Sequence, residues 1–184
     1  MTARFFGGWS YDAELCADPT LVATGYAEGV PMGGDLPARP EGSQAPTFII
    51  SALRDPGTDT APGGMLERLQ VVKGWVKDGI SQERVIDVAG EADNGADVEL
   101  STCTPRGEGF DQLCTVWTDP DFDPSVPTFY YARVVENPSC RWNTWRCNEQ
   151  GVVCTDPATV TPGLSACCDE SIPRTIQERA WTSP

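Results

Sequence analysis

Histidine is absent from the 184 residues. That removes Ser-His-Asp and Cys-His nucleophile systems and every His-ligated zinc or iron site. Basic residues are scarce, with 13 Lys plus Arg against 27 Asp plus Glu and a formal net charge of −14. Nucleic acid is held mainly by clustered cations, so it is not an expected partner. Long apolar runs are missing as well, and no segment approaches the length of a membrane span. The start, Met1-Thr2-Ala3-Arg4 leading into Phe5-Phe6-Gly7-Gly8-Trp9, is too short and glycine-broken for a signal-peptide core. Turn and cross-link chemistry is what the chain has in quantity: 18 glycines, 16 prolines and 8 cysteines. The length suits one domain or slightly more, long enough to bury a core without needing staples merely to fold.

Cys16 stands alone in the first half, while Cys103, Cys114, Cys140, Cys147, Cys154, Cys167 and Cys168 follow residue 100. None forms a C-x-x-C pair, and no histidine can complete a mixed zinc site. Scattered cysteines in even number read as disulfides and an oxidising compartment, the rival being buried free thiols in a cytosolic chain. Pairing stays open, since eight cysteines allow 105 connectivities. The neighbours Cys167 and Cys168 are expected to bond different partners, because vicinal side chains rarely reach disulfide geometry.

Along the chain, Arg4 to Trp9 reads as a short strand. Asp18-Pro19 opens a two-turn helix with Asp18 as N-cap, closed by Gly29. Residues 29–46 read as an irregular loop. Strands are predicted over Thr47 to Leu53, Leu66 to Val76 (Leu69, Val71 and Trp75 on one face), Glu83 to Val88, Leu113 to Trp117 and Thr128 to Val135. Asp78-Gly79 marks a hairpin turn. In the last strand Tyr130, Ala132 and Val134 form the core face and Arg133 points out. Residues 89–109 are weakly patterned. A disulfide-held loop is expected after Asn137, with a helical turn over Thr175 to Arg179. Short strands, turn signals and few helices give a mainly β chain. The expected fold is a β-sandwich, immunoglobulin-like in its penultimate strand, with long loops, one or two short helices and a disulfide-rich C-terminal loop.

Three constellations could carry chemistry. Asp119, Asp121 and Asp123 stand at i, i+2 and i+4, as calcium-loop ligands do. Pro124 and Tyr130 then occupy positions where an EF-hand loop needs Gly and Glu, so a proline-locked turn is the plainer reading. Gly29 to Leu36 could form an anion nest but lacks a Walker lysine and the G-x-G-x-x-G spacing, which favours a structural loop. Trp142 and Trp145 could stack on sugar rings, or fill the small core of a disulfide loop. No catalytic residue stands out. Glu136 follows a strand end without an evident carboxylate partner, and Asn137-Pro138-Ser139 is no sequon because of its proline.

Six motifs occur in order: Arg4-Phe5-Phe6-Gly7-Gly8-Trp9; Gly25-Tyr26-Ala27-Glu28-Gly29-Val30-Pro31-Met32-Gly33-Gly34-Asp35-Leu36; Leu69-Gln70-Val71-Val72-Lys73-Gly74-Trp75; Val116-Trp117-Thr118-Asp119-Pro120-Asp121-Phe122-Asp123-Pro124; Phe129-Tyr130-Tyr131-Ala132-Arg133-Val134; and Ile176-Gln177-Glu178-Arg179-Ala180-Trp181-Thr182-Ser183-Pro184. Together they resemble the C-terminal part of the DUF3604 family, whose members look like PHP-type metal-dependent hydrolases similar to the carbaryl hydrolase group. Residues 89–109 and the cysteine-rich loop match the pattern poorly. The resemblance implies a barrel-like domain upstream that carries His and Asp metal ligands, so no cofactor and no catalytic residue is expected in this chain. It further implies that residues 1–45 end that upstream domain and connect it onward. Residues 46–136 would form the sandwich core, and residues 137–184 the Cys-rich loop and a truncated final strand. The expected partner is the upstream catalytic domain of the same polypeptide, and the expected location is periplasmic or secreted, with Met1 an artificial or misassigned start. The expected function is therefore a non-catalytic accessory region of a metal-dependent hydrolase-like protein. The alternative is a self-contained carbohydrate-binding module, and an independent carboxylate-only hydrolase has no specific residue in its favour.

Overall fold

Strands form where branched and aromatic residues alternate with polar ones, and the chain turns where Gly, Pro and Asp interrupt them. The computed structural model describes residues 1–184. Eight strands build two sheets: β1 (Thr2–Gly8), β2 (Val30–Pro31), β3 (Thr47–Leu53), β4 (Leu66–Lys77), β5 (Ile80–Gly90), β6 (Gln112–Thr118), β7 (Thr128–Glu136) and β8 (Arg179–Trp181). One sheet has the order β6-β3-β1-β2 and the other β8-β7-β4-β5, with every pairing antiparallel. The steps β3 to β4, β5 to β6 and β6 to β7 each cross between sheets. This is the immunoglobulin-like distribution, in which the first, second and fifth core strands face the rest. At the β4–β5 hairpin, Asp78 and Gly79 both take positive φ, 53° and 75°. A type I′ turn requires that, and Asp-Gly supplies it at little strain.

Phe5, Phe48, Ile50, Ala52 and Leu113 from the first sheet meet Leu66, Leu69, Val71, Tyr130, Ala132 and Val134 from the second. Each large side chain removed from water there contributes about 1.5–3 kcal/mol. Tyr130, Ala132 and Val134 face inward as their alternation predicts. Arg133 faces outward, its Nε donating to Gln70 Oε1 at 2.6 Å. A second, smaller core covers the outer face of the first sheet, where Phe6 and Ile49 pack on Tyr11 and Leu15. Helix α1 (Leu21–Glu28) and a 3-10 turn over Ala13–Ala17 form that cover. The Cys16–Cys114 disulfide fastens the 3-10 turn to β6.

The segments after β5 and β7 form an annex at the end of the sandwich where β7 finishes. Asp97–Glu99 pairs with Thr104–Arg106, and Ser139–Cys140 pairs with Thr175–Ile176. Between these lie helix α2 (Trp142–Glu149) and 3-10 turns at Pro157–Thr159 and Pro162–Cys168. Cys103–Cys140, Cys147–Cys167 and Cys154–Cys168 close the annex, so all eight cysteines are paired and the vicinal pair does bond two different partners.

Several local expectations change. The helix begins at Leu21, not at Pro19. The Asp18 carboxylate instead accepts from Thr20 N and Thr20 Oγ1, both at 2.7 Å, in a turn ahead of the helix. Thr175 to Arg179 is not helical, because Thr175–Ile176 is held by Ser139–Cys140 and Arg179 already pairs with Val135. Residues 29–46 include β2, which pairs with β1. Strand β1 and the core residue Phe5, both within residues 1–45, are part of the sandwich.

Candidate functional site

At the end of the sandwich where β7 begins, strand alternation places a lysine where an apolar residue would ordinarily sit. Lys73 shares its inward parity on β4 with Leu69 and Val71. Its Nζ donates to Asp119 Oδ2 at 2.6 Å and to the Asp121 carbonyl at 2.8 Å. Tyr130 Oη donates to the same Asp119 Oδ2 at 2.6 Å, and Asp121 N donates to Asp119 Oδ1 at 3.0 Å. Asp119 is 2% exposed. Burial works to raise its carboxyl pKa, but the hydrogen bonds from Lys73, Tyr130 and Asp121, with the Lys73 charge, hold it below the ordinary range. Burial, and after it the Asp119 carboxylate, pushes the Tyr130 phenol up. The cluster joins β4, β7 and the turn leaving β6. It stands where immunoglobulin-like sandwiches use a tyrosine near the start of the same strand to tie down the preceding corner.

Beside this cluster lies a cleft of about 230 Å³ whose lining includes Phe5, Pro31, Met32, Leu36, Phe48, Phe129, Tyr130 and Pro184. Phe5 and Phe48 stack at 5.2 Å, and Phe48 meets Tyr130 at 4.5 Å. The rim is the Gly29 to Leu36 loop. Three of its amides are committed: Met32 N donates to Phe5 O, Gly33 N to Pro184 O and Gly34 N to Pro31 O. Those three hold the loop as a structural rim and are not free to cradle an anion. Gly33 takes φ +84°, which suits glycine. Trp9 completes this end, donating from Nε1 to Pro37 O at 3.0 Å and meeting Phe122 edge-on at 5.9 Å.

The three aspartates of the calcium-like run serve different partners. Asp119 binds Lys73 and Tyr130, Asp121 pairs with Arg84, and Asp123 accepts from Ser125 N and Oγ. No group of three or more His, Cys, Asp or Glu is placed to hold a metal ion. Trp142 and Trp145 lie on α2 in the annex, 68% and 48% exposed. Trp142 lines a separate cavity of about 240 Å³ with Arg141, Asn143, Arg146, Leu164, Ile172 and Pro173. Glu136 is half-buried, and its carboxyl is pushed up chiefly by burial. The residue that sequence reasoning missed is Lys73. Its signal was present as a cation on the core-facing register of a strand, and its acidic partner stands 46 residues away.

No helix is long and apolar enough to cross a membrane. Neither a curated protein nor a solved structure matches the chain. A family model described as a protein of unknown function (DUF3604) matches residues 1–184. The segments that carry the resemblance meet at one end of the sandwich: Phe5 and Trp9, the Gly29 to Leu36 rim, Lys73, Asp119, Tyr130 and Pro184. By its full-length match and by these motifs, the chain belongs to the DUF3604 family.

Proposed function

We propose that the chain is a non-catalytic accessory region of a secreted or periplasmic metal-dependent hydrolase-like protein. In this reading the motif-bearing end of the sandwich packs on an upstream catalytic domain, and the Gly29 to Leu36 loop shapes the rim of its active site. One observation carries the reading: four of the six motifs, between residue 4 and residue 184, line a single cleft, and the other two meet beside it at Lys73 and Asp119. Four disulfides suit an oxidising compartment. The divalent metal that the family resemblance implies would be held upstream, since this chain has no histidine to offer it. The test compares the complete polypeptide with these 184 residues alone. Metal content and hydrolysis of phosphoester and ester substrates are expected only for the complete form, and Met32→Glu at the rim is expected to lower its turnover. Stoichiometric zinc or manganese together with hydrolysis by the 184 residues alone would overturn the reading.

A second reading, a carbohydrate-binding module, is favoured by the two exposed tryptophans on α2. Solvent-facing indoles can stack on the apolar faces of sugar rings. Glycan-array binding that disappears in Trp142→Ala supports it, and the absence of any glycan binding removes it.

A further inference from the structure

The molecule has 13 bases against 27 acids, five of the bases in ion pairs and eight outside them, so what marks a place is two unpaired guanidinium groups sharing one cavity that no acid lines. Its ion pairs use Arg54, Arg68, Lys73, Arg84 and Arg106. Arg141 and Arg146 make none, and both line the same annex cavity as Trp142. Trp142 and Arg146 are i and i+4 on α2, neighbours on one helix face. Across the cavity lie Leu164, Ile172, Pro173 and the Cys147–Cys167 cystine. Asn143 also lines it, and its Oδ1 is buried with no donor. The Cys147–Cys167 disulfide ties α2 to the Pro162–Cys168 turn, and Cys154–Cys168 ties that turn to the segment after α2, so the walls are covalently positioned.

We infer that this cavity binds a sugar acid, a hexuronate unit of an anionic polysaccharide. The inference rests on the carbohydrate reading and narrows it. A guanidinium matches a carboxylate with two parallel hydrogen bonds. Arg141 and Arg146 supply that recognition at a site where the protein offers no internal anion. The Trp142 indole takes the carbon-bound face of the ring, and the apolar wall covers the opposite face. The volume, about 240 Å³, is below the roughly 300 Å³ at which sites for drug-sized ligands begin. It admits a single ring, with the rest of the polymer outside.

The test titrates the oxidised 184-residue chain with tri-galacturonate, with neutral galactotriose and with benzoate, following tryptophan fluorescence and calorimetric heat. Tri-galacturonate is expected to bind, more weakly as salt rises, because the contact is an exposed charge pair. Arg146→Ala is expected to weaken it by about tenfold or more, Arg146→Lys by less, and Trp142→Ala to remove the fluorescence change. The folding control is the far-ultraviolet circular dichroism and melting temperature of each variant, which should match the parent's. Equal or tighter binding of galactotriose would keep the carbohydrate reading and overturn the acid specificity. Equal or tighter binding of benzoate would overturn the sugar, leaving a general carboxylate site. No binding of any of the three overturns both the inference and the reading beneath it.

Discussion

Asp119 accepts three hydrogen bonds in a nearly dry setting. Removing one partner of such a pair leaves a buried charge uncompensated, which costs about 3–5 kcal/mol. Lys73→Ala is therefore expected to lower stability by that order in urea melts. Tyr130→Phe removes one neutral donor to a charged acceptor and should cost about 1.5–3 kcal/mol. The pH response follows from direction. The Asp119 carboxyl is held low in the folded state, so its stabilisation is complete above the unfolded value near 4 and drains as pH falls through the lower folded value. Melting temperatures measured from pH 7 down to pH 3 should fall, and Asp119→Asn should flatten that part of the profile. Glu136 behaves in the opposite sense. Burial, helped by the charges of Glu178 and Asp55 and opposed by the Met1 amino group, raises its carboxyl. It favours folding at low pH and loses that contribution as pH rises through its folded value. Glu136→Gln is expected to raise the melting temperature at pH 7 and to lose the advantage by pH 4.

At the scale of elements, one tight junction is the passage from α1 into β2 at Gly29. A Cβ there would lie 1.8 Å from the Tyr11 hydroxyl and 2.3 Å from the Gly7 carbonyl oxygen. The phenol could swing away but the backbone oxygen cannot, and Tyr11 Oη also donates to the carbonyls of Gly7 and Gly25. Gly29→Ala should cost about 2 kcal/mol or more, in the range of overpacked cores, and melts of the purified variant check it. This junction also marks how far sequence reading reached. The central strands were legible because Phe48, Ile50, Leu69, Val71, Tyr130, Ala132 and Val134 alternate with residues that face away. Asp78-Gly79 was legible because few dipeptides accept two positive φ angles. The 3-10 turn over Ala13–Ala17 was not, since five residues carry no period. Thr175 to Arg179 looked helical, yet pairing with Ser139–Cys140 and with the edge of β7 gave its backbone groups better use. The Lys73–Asp119–Tyr130 cluster stayed hidden because its members meet only when two sheets close. The aspartate run, visible as a pattern, serves as three separate caps and pairs.

For the whole molecule, the cross-link with the widest reach is Cys16–Cys114, with a sequence separation of 98. Closing a loop of that length removes about 4.7 kcal/mol of unfolded-state freedom in the chain-entropy account, and loss of a native bridge typically costs 2–5 kcal/mol. Replacing both cysteines by serine should cost about that much in calorimetry, and more than the same change at Cys154 and Cys168, whose separation is 14. Cys154 is exposed, so mild reductant is expected to open that pair first, seen as early alkylation of Cys154 and Cys168 by mass spectrometry. The interlocked bridges also set how the molecule bears load. A force applied at Met1 and Pro184 runs through the shortest covalent path: from residue 16 across to 114, back to 103, across to 140, on to 147 and across to 167. Fewer than a third of the residues lie on that path. Stretched out, it spans roughly 190 Å, against roughly 660 Å for the reduced chain at the same extension per residue. Most of both sheets is therefore bypassed by tension, and a pull that strips β1 and β8 from their neighbours leaves the β4–β5 hairpin without load.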